Sequence, residues 1–81
     1  MNNSFQALQA LIDNKIITLS DYYSVNVRKW GIDLQGVYSS DVIRTLSIDY
    51  GVKFKIDKGY ATGKLEYTDE KGGAQVQFTF T

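Results

Sequence analysis

The stretch "VKFKIDKGYATGKLEYTDEKGGAQVQFTFT", residues 52–81, decides the fold. Apolar residues alternate with polar ones in three runs: Val52, Phe54, Ile56; then Ala61, Leu65, Tyr67 with Gly63 among them; then Ala74, Val76, Phe78, Phe80. A period of two is the strand signature, because successive side chains point to opposite faces. Lys58-Gly59 and "DEKGG" interrupt the alternation as turns. Four-residue loops at 58–61 and 70–73 would set Asp57 opposite Thr62 and Asp69 opposite Ala74. Phe54 then faces Leu65, Leu65 faces Phe78, Gly63 faces Phe80, and every apolar residue lands on one side. Gly63 leaves room there for an aromatic neighbour. A sheet with one apolar and one wet face is antiparallel, and helices must cover the apolar side.

The helices lie upstream. "SSDVIRTLSIDYG", residues 39–51, has Ser39 or Ser40 as its cap and Asp41 in a first turn that favours an anion. Val42, Ile43, Leu46 and Tyr50 form its stripe, and Gly51 stands where helices end left-handed. Residues 4–14 read as a second helix, with Ser4 as cap and Phe5, Leu8, Leu11 and Ile12 as the buried stripe. "KIITLS" is a strand or an extended connector, and "DYYSVNV" a strand with Tyr23, Val25 and Val27 on its core face. The expected architecture is α+β: a two-layer sandwich in which a mainly antiparallel sheet, ending in a three-stranded meander, is covered on one face by two helices. Residues 1–81 form a single domain, with no linker or repeat.

"RKWGIDLQG", residues 28–36, is where the alternation changes phase: apolar residues fall on odd positions up to Val27 and on even ones from Trp30. Such a change needs a corner or a bulge. Trp30, in phase with Ile32 and Leu34, is expected mainly in the core, with a docking role as its alternative.

Composition removes whole classes of function. The chain has no cysteine and no histidine, so disulfides, thiolate metal sites, a cysteine nucleophile and the usual neutral-pH base are absent. Nine basic residues balance nine acidic ones, so no long-range field draws in nucleic acid or anionic lipid. The acids are scattered at helix starts and beside turns, no glycine pattern makes a phosphate cradle, and "DEKGG" lacks calcium-loop ligands. The expectation is a non-enzyme with no cofactor and no metal. "MNNSFQALQALIDNK" has no cationic leader, and no stretch is long and apolar enough to span a membrane, which reads as a cytoplasmic protein. A domain this small buries only about 60% of its unfolded surface. A partner, or a second copy, is therefore expected.

Three surfaces are candidates for contact. Tyr22, Arg28 and Trp30 are of the residue types that dominate interface hot spots, and Tyr22 and Arg28 lie on the side the core does not need. The last strand is uncharged, and at a sheet edge its Gln75, Gln77 and Thr79 would flank a template for strand pairing or homodimerisation. Lys53, Lys55 and Lys64 crowd the wet face, Lys55 opposite Lys64 and Lys53 opposite Glu66, and offer phosphates an alternative site. That face lacks outward aromatics for base stacking, since Phe54, Phe78 and Phe80 point to the core.

The run "GIDLQGVYSSDVIRTLSIDYGVKFKID" joins a strand with "LQG", a serine-capped helix and a strand opening at "YGVKF". In this it resembles the build of small uncharacterised phage-encoded accessory proteins, and the resemblance covers about a third of the chain. The resemblance implies a regulator or inhibitor that binds a host or viral protein, and it carries over no site residues. The functional expectation is a protein-interaction module, possible as a homodimer. Nucleic-acid binding and a structural role in an assembly are the alternatives.

Overall fold

The computed structural model describes residues 3–69 and 72–81. In chain order the elements are α1 (Asn3–Asp13), a short 3-10 turn (Leu19–Asp21), β1 (Tyr22–Val27), β2 (Gly31–Gly36), α2 (Ser40–Tyr50), β3 (Lys53–Asp57), β4 (Tyr60–Asp69) and β5 (Gly72–Phe80). The five strands form one sheet in the order β1-β2-β5-β4-β3. Three neighbouring pairs are antiparallel and β2–β5 is parallel, so the α+β sandwich is as expected but its sheet is mixed. α1 packs chiefly on β5, and α2 lies towards β3.

α2 follows its sequence signals closely. The Ser39 side chain accepts a hydrogen bond from the Val42 N–H, Asp41 sits in the first turn, and Gly51 ends the helix at φ 69°. In α1 the buried stripe is Ser4, Ala7 and Leu11, whereas Phe5 is exposed. Ser4 is inside the first turn rather than a cap, and its hydroxyl donates to the Lys29 carbonyl at 3.0 Å. "KIITLS" is a connector, anchored by buried Ile17.

The meander keeps the expected faces but shifts its partners by two residues. Lys58 and Gly59 alone make the first turn, with φ of 42° and 78°, so Asp57 pairs with Tyr60 and Phe54 with Gly63. Positive φ at both central residues is the geometry that matches strand twist in a two-residue hairpin. The second turn, expected over 70–73, falls partly outside the described residues, but Asp69 pairs with Gly72 and Gly63 with Phe78. A shift of two preserves facing, which is why Ala61, Ala74, Val76, Phe78 and Phe80 are all buried.

Phe78 and Phe80 stack with centroids 6.4 Å apart at the centre of the core. Tyr22 from β1 lies 5.8 Å from Phe80, and Phe54 from β3 lies 6.2 Å from Phe78, although neither strand adjoins β5. Glycines on the intervening strands make this possible: Gly36 pairs with both Tyr22 and Phe80, and Gly63 with both Phe54 and Phe78. A Cβ at Gly63 would come within 2.8 Å of the Phe54 ring, and one at Gly36 within 3.3 Å of both Tyr22 and Phe80.

Candidate functional site

The phase change at "RKWGIDLQG" is a hairpin. Val27 pairs with Ile32, and the Arg28 N–H donates to the Gly31 carbonyl at 2.7 Å across the turn. Pairing an odd residue with an even one reverses the parity without any irregularity. Trp30 belongs to the turn rather than to β2, so its phase with Ile32 and Leu34 does not take it inside. It is 68% exposed, which corrects the expectation of a core tryptophan, and the Lys29 ammonium lies 5.5 Å from its ring centroid. Arg28 is also exposed, and its guanidinium pairs with Asp33 at 3.0 Å on the face away from the helices.

Tyr22 is the opposite case. It was expected at an interface, but only 9% of it is exposed, and it packs among the phenylalanines. The cause is a bulge between Tyr22 and Ser24: Tyr22 pairs with Gly36, Ser24 with Gln35, and Tyr23 is the extra residue. The bulge turns Tyr22 inward and Tyr23 outward, where its hydroxyl meets that of Thr81 at 3.0 Å. Burial, reinforced by the Asp21 charge, pushes the Tyr22 phenol well above the ordinary tyrosine range.

The last strand does not lie at a sheet edge. β5 stands in the middle of the sheet, paired with β2 on one side and β4 on the other, so the backbone beside Gln75, Gln77 and Thr79 is already taken. The edges are β1 and β3. β3 reads KFKID and carries Lys53 and Lys55, a common protection against unwanted pairing. β1 reads YYSVNV and carries no charge. Because Arg28 turns its N–H to β2, residues two and four positions away along the strand do likewise, and Val25 and Val27 turn their backbone groups to the open side. Val25 is 40% exposed on the helix side, since α1 packs chiefly on β5 in the middle of the sheet.

On the face away from the helices, the shifted register changes the lysine cluster. Lys53 lies directly opposite Lys64, and Lys55 opposite Thr62. Glu66, expected to neutralise Lys53, instead accepts a hydrogen bond from the Gln75 side chain at 2.8 Å. The three lysines line a shallow groove with Thr62, Gly63 and Gln77. The same register brings Tyr60 into β4 on this face, 48% exposed, where turn placement had hidden it. The alternating phase of β4 held that information, because Tyr60 shares its parity with Thr62 and Lys64.

Among the described residues no three acidic side chains gather as a cation site, and no helix is long and apolar enough to cross a membrane. A small cleft between α2 and the connector is lined by Ile16, Ile17, Val42 and Leu46 with Lys15 and Asp41, and shallower hollows flank Arg28 and Trp30. No family model, no curated protein and no solved structure matches this chain.

Proposed function

We propose that this protein is a non-enzymatic interaction module that binds another protein by adding an extended segment of it to β1. The observation that carries the reading is the asymmetry of the two sheet edges: β3 bears two lysines, whereas β1 is six residues long and uncharged. Strand addition draws affinity from main-chain hydrogen bonds and specificity from the flanking side chains. Val25 and Val27 supply the outward backbone groups. Tyr23 and Trp30, exposed at the two ends of β1, supply area with few rotamers to lose. Arg28 would steer the partner from beside the strand. Such a mechanism suits a regulator or inhibitor of a host or viral protein, in keeping with the phage-accessory build.

Val25→Pro tests the reading, because it removes one outward N–H where an edge strand tolerates proline. Capture of partners from the producing cells should lose its specific partner with Val25→Pro and with Trp30→Ala, while circular dichroism and the thermal midpoint stay near wild type. Unchanged capture by both variants would overturn the proposal. If the partner recovered is the chain itself, sedimentation shows a concentration-dependent dimer that Val25→Pro abolishes. A fixed, stoichiometric complex with other subunits points to a structural role at the same edge.

A further inference from the structure

The helix-free face carries a second feature, independent of the β1 edge. Lys53 and Lys64 are directly opposed across β3 and β4, where like charges destabilise each other. Lys55 stands two residues along β3 on the same face, about 7 Å from Lys53 at the rise of an extended strand. Among the described residues the one ion pair is Arg28–Asp33, on the same face but two strands away from Lys64, so none of the three lysines is in an ion pair. Glu66 is engaged with Gln75, and the remaining acid of β3, Asp57, stands at the strand's end opposite Tyr60. An anion placed in the groove over Gly63 would relieve this repulsion, with the Thr62 hydroxyl and the Gln77 amide as neutral donors beside it.

Tyr60 decides which anion fits. It lies on the same face as Thr62 and Lys64, at even spacing along β4, and nearly half of it is exposed. A row of cations beside an outward ring on an open sheet face is the arrangement that grips a single strand of nucleic acid: phosphates on the lysines, a base on the ring. A duplex keeps its bases stacked within the helix and cannot use the ring. We infer that the face formed by Lys53, Lys55, Lys64 and Tyr60 binds single-stranded nucleic acid through two or three consecutive phosphates and one stacked base.

Fluorescence anisotropy with labelled oligo-dT and oligo-U of a dozen nucleotides, at low salt, tests this with the full chain. Three phosphate contacts give log K a slope of about −2 against log salt, and Lys53→Ala or Lys64→Ala each shallows it by about 0.7. Tyr60→Ala should weaken binding about ten-fold with the slope unchanged, because stacking is not a counterion effect. Val25→Pro should leave binding intact, which separates this site from the β1 edge. All four substitutions fall on exposed positions, and matched circular dichroism spectra confirm an intact fold. No binding at low salt would overturn the inference. So would equal affinity for a duplex, or indifference to Tyr60→Ala, since either would mean simple polyanion attraction.

Discussion

Two aromatic residues eight positions apart exchange the roles that residue type alone would give them. Tyr22 was expected outside and lies in the core; Trp30 was expected inside and stands in water. The burial of Tyr22 has a thermodynamic signature. Its folded-state phenol holds its proton above the ordinary tyrosine value of about 10, at which the unfolded chain lets go. Above that pH the unfolded state binds fewer protons than the folded one, so stability falls as pH rises, by at most about 1.4 kcal/mol per unit. Below it this contribution is fully present. Tyr22→Phe should remove that part of the alkaline decline, and urea titrations of both proteins at pH 8 and pH 11 would show it. A decline equally steep in the variant would mean that the phenol is not the group responsible. Neither residue's place could be read from alternation, because one sits beside a bulge and the other in a turn. Parity is a property of regular strands, and it lapses where the ladder slips or ends.

At the scale of elements, the signals that were legible were those written in local chemistry. Ser39, Asp41 and Gly51 state the bounds of α2 in residue types whose effects act within one turn. The connection between β3 and β4 was less legible because a Lys-Gly pair is a weak turn signal beside Asn-Gly. Lys58 occupies the left-handed region at φ 42°, where a side chain with a Cβ is strained. Asparagine tolerates that region better and completes the favoured two-residue sequence. Lys58→Asn should therefore stabilise the protein by about 0.5–1 kcal/mol, measured by chemical denaturation with the β3–β4 register unchanged. A loss of stability would show that the Lys58 side chain makes a contact worth more than its strain. The register set by this turn also decides which charges meet, for it is the two-residue loop that places Lys53 against Lys64 and brings Tyr60 onto the open face.

For the molecule as a whole, the layers and their facing followed from periodicity, while the strand order did not. Nothing in the alternation of "AQVQFTFT" says whether a strand lies at an edge or in the centre, because its facing is the same in both. The absence of charge suits either position. Its four consecutive inward residues, all buried, fit a strand flanked on both sides. Hydrogen exchange should rank the strands accordingly: amides of β5 open only with global unfolding, whereas the outward amides of the edge strands, those of Val25 and Val27 among them, exchange much faster in the free protein. Protection of β5 no greater than that of β1 would contradict the order.

The central place of β5 also bears on how the chain is made. β1–β2 and β3–β4 are hairpins closed by short connections, and each can form as soon as it leaves the ribosome. They share no ladder with one another; both of their inner edges are completed by the strand that is synthesised after them. Until β5 arrives, β2 and β4 each present one unpaired backbone edge and an uncovered apolar face, an invitation to chaperones or to neighbouring chains on the same message. The interval of greatest vulnerability is thus the time taken to translate one strand, and slow codons just ahead of Gly72 would lengthen it.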